Sequence, residues 1–369
     1  MVQSFFPSLR VNGKSRAEDV LKMQEALQAL ARGESCFDCG EAGTVLRFLA
    51  LRVSREAGVF ELQGSRRLFE RPQEELARVL RQLGVTCRLE ESKMTLESGG
   101  WRPQGDTLLV PCGKSSQFLS AVVLSAWRLP FDLYVSPENL SFSKAYYQMT
   151  RRFLEEIGMT FKDWDQDFCV LKNQELKAES VDLEPDMSSC FALAAVAAVS
   201  GQMVLTDFPQ ESLQPDFYFL QILKTMGVPV DAVGGRLKVL RAAQLEGVRV
   251  SLKDCPDLFP VLSALCALAE GPSELRGAPH LRFKESSRIE KIKELLEKAG
   301  SRVLEHEDGL SITPSKDRKS GFVFDAEGDH RLAMAAAVLL KAGYEFDLRS
   351  PQVVSKSFPE FWTAVGMEN

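Results

Sequence analysis

The chain has only three histidines, no long uninterrupted apolar run and no surplus of positive charge, and each scarcity closes off a class of function. Cys36 and Cys39 form a single C-x-x-C with no second pair and no histidine couple nearby, which excludes the usual zinc frameworks. The eight cysteines are otherwise scattered, a pattern that reads as reduced thiols serving mostly as core residues. A net charge of −6 argues against a broad nucleic-acid-binding face, so any anion site must be a local concentration of arginine and lysine. No segment is apolar for long enough to span a bilayer, and the first residues lack the apolar run of a signal peptide. The expectation is a cytoplasmic protein with no membrane or nucleic-acid partner. What is present is ordinary globular material, 369 residues with 45% hydrophobic and 26% charged, enough for two domains with full cores.

The chain repeats itself. Amphipathic stretches with apolar residues at i, i+3 and i+4 run into Gly84, Gly158, Gly227 and Gly300, the signature of a helix closed by glycine. The period is about seventy residues. Short alternating runs after each glycine, such as Val303-Leu304 and Leu310-Ser311-Ile312 across Asp308-Gly309, predict hairpins. A second helix, apolar on all sides, recurs in the same period and opens near Gly43-Thr44, Ser115-Ser116, Ser188-Ser189, Asp257 and Asp329-His330. A helix with no polar face is the buried one. About five units of strand, buried helix, strand, surface helix and hairpin can be read, the first incomplete. They divide into an N-terminal domain, residues 1–183, and a C-terminal domain, residues 184–369. Parallel buried helices within a domain bring their N-termini to one end, where free N–H groups and dipole ends make an anion site.

Residues at these helix starts carry the chemistry, each against a plainer alternative. Gly43 permits close backbone approach to a ligand or merely a tight turn. Arg71, just before a helix expected to have Pro72 at its first position, can fork onto a carboxylate or phosphate, or be solvated. Ser115, Ser116 and Gln117 offer hydroxyls and an amide, though plain N-capping explains them as well; Ser143 and Tyr146 open a further helix with donors. Asp257 is either a cap or a general base, the second favoured by the convergence of Lys284, Glu285, Arg288 and Arg331. Arg282 to Arg288 alone reads as a solvated charge run. His330 reads as a capping or core histidine, and Lys356 closes the series.

In this order the residues resemble 5-enolpyruvylshikimate-3-phosphate synthases. Gly40-Glu41-Ala42-Gly43-Thr44-Val45-Leu46-Arg47 is similar to the family's G-N-A-G-T-x-x-R, and Glu70-Arg71-Pro72 to its E-R-P. Ser115-Ser116-Gln117-Phe118 matches S-S-Q-F, Arg282 to Arg288 matches R-x-K-E-[ST]-D-R, Asp329 to Met334 matches D-H-R-x-A-M, and Lys356-Ser357-Phe358-Pro359 matches K-[ST]-F-P. The resemblance implies a two-domain inside-out α/β barrel of βαβαββ units that closes over shikimate 3-phosphate and phosphoenolpyruvate, without metal or organic cofactor. It further implies that Ser115, Ser116, Gln117, Ser143, Tyr146, Asp257 and Lys284 hold shikimate 3-phosphate. Gly43, Arg71, Gln117, Arg288, Arg331 and Lys356 hold phosphoenolpyruvate; Asp257, Glu285 and Lys356 are catalytic, Asp257 taking the proton of the 5-hydroxyl. The N-terminal domain is then mainly the shikimate 3-phosphate side and the C-terminal domain mainly the catalytic and phosphoenolpyruvate side, in a protein expected to be monomeric.

The chain departs from the family pattern at its start, where a G-S-K-S-x-S-N-R segment is expected. Gly13-Lys14-Ser15-Arg16 looks superficially alike but aligns with the turn before a surface helix over 19–30, so Lys14 is expected at the surface. Glu41 stands in place of Asn, Ser287 in place of Asp, and Lys114 is a candidate replacement cation. These departures support an alternative, a weakly active or inactive relative that still binds phosphorylated anions. The related UDP-N-acetylglucosamine enolpyruvyl transferases would need a reactive-cysteine loop around Arg71, and none is there.

Overall fold

Alternating a wholly apolar helix with an amphipathic one gives each repeat a helix to bury and a helix to expose, and the strands between them cover the outside. The computed structural model describes residues 1–141 and 143–367, and the chain divides into two compact units, Met1–Leu183 and Glu184–Asn369. Each has its own hydrophobic core.

The N-terminal unit opens with an incomplete repeat, a 3₁₀ turn (Val2–Ser4), β1 (Arg10–Asn12) and the surface helix α1 (Glu18–Ala31). A full repeat follows: β2 (Cys36–Asp38), the buried α2 (Gly43–Val53), β3 (Ala57–Gln63), α3 (Arg66–Glu70), α4 (Glu74–Gln82), β4 (Thr86–Leu89) and β5 (Lys93–Gly99). The next comprises β6 (Leu108–Pro111), the buried α5 (Gln117–Leu124), β7 (Leu133–Glu138), α6 (Lys144–Glu156), β8 (Phe161–Trp164) and β9 (Asp167–Val170). β10 (Ser180–Asp182) then returns to the beginning and pairs in parallel with β1.

The C-terminal unit carries α7 (Met187–Ser200), β11 (Gln202–Thr206), α8 (Phe219–Thr225), β12 (Val230–Val233) and β13 (Arg236–Leu240). β14 (Arg249–Ser251), α9 (Phe259–Cys266), β15 (Ser273–Arg276), α10 (Arg288–Lys298), β16 (Arg302–His306) and β17 (Gly309–Thr313) form the next repeat. The last holds β18 (Phe322–Asp325), α11 (His330–Lys341), β19 (Phe346–Arg349) and α12 (Phe361–Ala364).

Connection length sets the sheet pattern. The order β2-β3-β5-β4 recurs as β6-β7-β9-β8 and β14-β15-β17-β16. The first pair of each is parallel because a buried helix carries the chain across, and the others are antiparallel because a hairpin joins the last two strands. In the C-terminal unit α7, α9 and α11 pack on one another, and α2 packs on α5 in the N-terminal unit. Alanine makes the close approach possible: Ala192, Ala194, Ala195 and Ala197 on α7 face a core that also buries Ala333 and Ala335 to Ala337 on α11. A larger side chain at such a position overpacks the core at a cost of about 1–3 kcal/mol. The glycines closing the surface helices, Gly84, Gly158, Gly227 and Gly300, all have positive φ, as the helix-ending pattern predicts. Among the described residues no helix is long and apolar enough to cross a membrane.

One local expectation fails. Pro72 does not begin a helix: α3 ends at Glu70, Arg71 is extended (φ −71°, ψ 159°) and α4 starts only at Glu74, with Gln73 as its N-cap. The delay comes from the Gln73 side chain, whose amide donates to the Leu68 carbonyl at 2.8 Å and ties the turn back onto α3.

Candidate active site

Three buried-helix starts meet in the C-terminal unit, and charge holds them together. Arg288 opens α10 with its side chain only 2% exposed. Its Nε donates to Asp329 Oδ2 at 2.8 Å, Nη1 to Asp257 Oδ1 at 2.9 Å and Nη2 to Glu285 Oε2 at 3.0 Å. Arg331, in the first turn of α11, donates Nη2 to Asp257 Oδ2 at 3.0 Å and Nη1 to Ser188 Oγ, at the start of α7, at 2.6 Å. Lys356 approaches Glu285 Oε1 at 3.5 Å, and Lys284 stands 4.0 Å from Asp257. The sequence-predicted Asp257, Lys284, Glu285, Arg288, Arg331 and Lys356 are thus one cluster, brought together by the register of the repeats.

Asp257 is not a cap; both of its oxygens face guanidinium groups. Burial alone would raise its pKa, and Arg331, Lys284 and Arg288 overcome that, holding the carboxyl well below the usual range and ionised. Burial likewise works against Arg288, and Asp329, Glu285 and Asp257 more than offset it, so its pKa is raised and the group stays charged. Asp329 is fully buried and caps α11 by accepting from the Arg331 backbone N–H. Removing one member of such a network leaves an uncompensated buried charge, which costs about 3–5 kcal/mol. Arg282 takes no part: it turns away onto Glu290, Glu305 and the His306 carbonyl. His330 is a core residue and not the cap, and burial pushes its pKa down to about 3, so it is neutral.

In the N-terminal unit the starts of α2 and α5 come together through hydrogen bonds. Gln117 donates Nε2 to Thr44 Oγ1 at 3.1 Å and accepts at Oε1 from Arg47 Nη1 at 2.8 Å. Ser115 Oγ accepts from the Gln117 backbone N–H at 3.2 Å, so Ser115, and not Ser116, serves the first turn of α5. Arg71 lies against Gly43: a methyl built on that glycine would stand 2.8–2.9 Å from the Arg71 guanidinium. The glycine therefore makes room for an arginine. Ser143 is left-handed (φ 55°) at the start of α6, and Tyr146 follows in its first turn. That helix is joined to α5 by a 3.0 Å hydrogen bond between Ser120 and Thr150.

Other sequence expectations fall at the surface or in the core. Lys14 is exposed, and Lys114 is engaged with Glu75 at 2.7 Å. Ser287 Oγ is buried without a hydrogen-bond partner among the described residues, at the position where the family pattern has a carboxylate. Sequence reasoning placed Arg47 in a motif and Ser188 at a helix start without giving either a role, and it passed over Asp186, whose carboxylate accepts from Ser188 Oγ at 2.6 Å. Their positions one turn into or just before a buried helix were the available signal.

A family model described as EPSP synthase (3-phosphoshikimate 1-carboxyvinyltransferase) matches residues 4–365. The chain is 33% identical over 339 residues to a 3-phosphoshikimate 1-carboxyvinyltransferase of Methanoculleus marisnigri, covering 91% of this chain and 80% of that one. To the protein of the same name from Pyrococcus abyssi it is 32% identical over 326 residues, covering 88% and 77%. Among solved structures it resembles EPSP synthase from Acinetobacter baumannii, with a TM-score of 0.74 over 99% of this chain and 92% of that one, at 22% identity. It also resembles the enolpyruvyl transferase NikO from Streptomyces tendae, TM-score 0.61 over 88% and 75%, at 17% identity. Identities that low bear on the fold alone.

Proposed function

The chain belongs to the EPSP synthase family, and from that premise we propose that it transfers the enolpyruvyl group of phosphoenolpyruvate to the 5-hydroxyl of shikimate 3-phosphate, releasing phosphate. The cluster around Arg288 carries the proposal. Two phosphorylated substrates, each strongly anionic near pH 7, repel each other and can react only among pre-placed cations in a site that excludes water.

The N-terminal unit supplies hydroxyl and amide donors for shikimate 3-phosphate from Ser115, Ser116, Gln117, Ser143 and Tyr146, and Arg71 beside Gly43 for phosphoenolpyruvate. The C-terminal unit supplies Arg288, Arg331 and Lys356 for phosphoenolpyruvate, Lys284 for shikimate 3-phosphate, and the proton-transfer groups. Asp257 takes the 5-hydroxyl proton as that oxygen bonds to C2 of phosphoenolpyruvate; Glu285, assisted by Lys356, gives a proton to the methylene carbon. The resulting tetrahedral adduct returns a methyl proton to Glu285 as the C2–O bond to phosphate breaks, and the proton held by Asp257 leaves with the phosphate. A carboxylate flanked by Arg288 and Arg331 is a weak base in the free protein. Substrate anions draw those cations' fields onto themselves, and Asp257 gains basicity when the site is filled. No cofactor enters this scheme. A cytoplasmic monomer is its expected form.

An anion binder with little turnover is not favoured, because the acid–base groups stand assembled with their counter-ions. The test is phosphate release by purified protein supplied with both substrates. Release that depends on both supports the assignment; binding of shikimate 3-phosphate without any release sinks it.

A further inference from the structure

Arg47 lies behind the helix starts of the N-terminal unit, 3% exposed, with its guanidinium 5.0 Å from the Phe118 ring. A guanidinium has donors only. Whatever faces it must be an acceptor, so the 2.8 Å contact with Gln117 forces that amide to present its oxygen to Arg47 and its nitrogen to the other side. The nitrogen carries two donors; Thr44 Oγ1 takes one, and the second is the one a ligand can accept. Ser115 is treated alike. Its oxygen faces the Gln117 backbone N–H at 3.2 Å and Arg47 Nη1 at 3.5 Å, which directs the hydroxyl proton outward. Arg47 also reaches Gln73 Oε1 and the Pro72 carbonyl, each at 3.4 Å, on the turn that carries Arg71.

We propose that Arg47 is a positioning residue that sets the hydrogen-bond polarity of this surface, making Ser115 and Gln117 donors and thereby selecting a ligand that only accepts, a phosphate ester over its unphosphorylated alcohol. The proposal rests on the assignment of Ser115 and Gln117 as contacts to shikimate 3-phosphate. It adds a residue that touches neither substrate and decides what those two can bind.

Three variants test it, with kcat, KM and calorimetric affinity measured for shikimate 3-phosphate and, for affinity, shikimate. Arg47→Met removes the forcing donor and is expected to raise KM for shikimate 3-phosphate about 10-fold or more, with a smaller change in kcat and a reduced preference for the phosphorylated ligand. Arg47→Lys keeps a donor and should recover part of that preference. Gln117→Glu still accepts from Arg47 but cannot donate; it should fold with an unchanged or higher melting temperature and lose affinity at least as much as Arg47→Met. It carries the test if Arg47→Met fails to fold. A folded Arg47→Met with wild-type KM and preference, or Gln117→Glu with wild-type affinity, overturns the proposal. Wild-type protein that neither turns over nor binds shikimate 3-phosphate would instead sink the assigned function. In that event the Gln117 side-chain amide resonance of ¹⁵N-glutamine-labelled protein still decides: a large shift in Arg47→Met supports the forced orientation, and no shift overturns it.

Discussion

At the scale of single residues, the strongest expectations attach to Asp257 and Gly43. Asp257→Asn keeps the shape and removes the base, so kcat should fall roughly 10²–10⁴-fold while calorimetric affinity for shikimate 3-phosphate changes only a few-fold; a variant with full turnover rules out Asp257 as the base. Gly43→Ala places a methyl inside the Arg71 guanidinium's space. The arginine is the flexible partner, so it shifts, the fold survives, and KM for phosphoenolpyruvate should rise about 10-fold or more; an unchanged KM would separate Arg71 from that substrate. Legibility at this scale was uneven. Asp257, Lys284, Glu285, Arg288 and Arg331 could be named because each sits at or beside a repeat-fixed helix start, and Lys356 because it opens the K-[ST]-F-P match near the C-terminus. Arg47 closed a recognisable motif but received no role, since an arginine one turn into a helix looks like any solvated arginine until Phe118 and Gln117 enclose it. The left-handed Ser143 left no trace in the sequence either, because the conformation depends on its neighbours.

At the scale of elements, the buried ion pairs tie the starts of α9, α10 and α11 to one another. Asp329→Ala strips α11 of its cap and Arg288 of its closest partner at once. Urea unfolding should show a loss of about 3–5 kcal/mol; a loss under 1 kcal/mol would mean that water or Glu285 takes over the charge. A second test lies in the sheet β14-β15-β17-β16. There a Cβ on Gly309 would stand 1.9 Å from the Leu275 carbonyl oxygen, so backbone must move to accept Gly309→Ala. The cost should be at least about 1–3 kcal/mol, read by the same unfolding curves; a silent substitution would mean that the β15–β17 edge is loose. Element type was readable because the 3.6-residue period and the closing glycines agree. The onset of α4 was not, because the Gln73 to Leu68 bond overrides what Pro72 signals locally.

At the scale of the whole molecule, histidine is confined to the C-terminal unit, and two of the three residues are buried neutral. Burial lowers both His280 and His330 to about 3, the positive Lys284 and Arg331 adding to it. Their folded values lie below the unfolded value near 6.5, so above that pH they contribute nothing. As pH falls from about 6.5 toward 3, the unfolded chain binds protons that the folded unit refuses, and stability drops by up to about 1.4 kcal/mol per pH unit for each histidine. The N-terminal unit has no histidine. Between pH 6 and 4.5, amide exchange corrected for its intrinsic pH dependence should show opening free energies falling in peptides of residues 184–369 and level in those of 1–183. Equal behaviour in both units would contradict the buried neutral histidines.

The pairing of β1 with β10 has a consequence for how the protein is made. Asn12 and Asp182, hydrogen-bonded side by side, are 170 residues apart in the chain. A ribosome adding about 5–20 residues per second delivers the second strand roughly 10 to 30 s after the first. Through that interval the edge of β1 is exposed in the nascent chain, an invitation to foreign strands. At three residues β1 is short enough to bind them poorly, and it waits for the one partner that arrives when the N-terminal unit is otherwise complete.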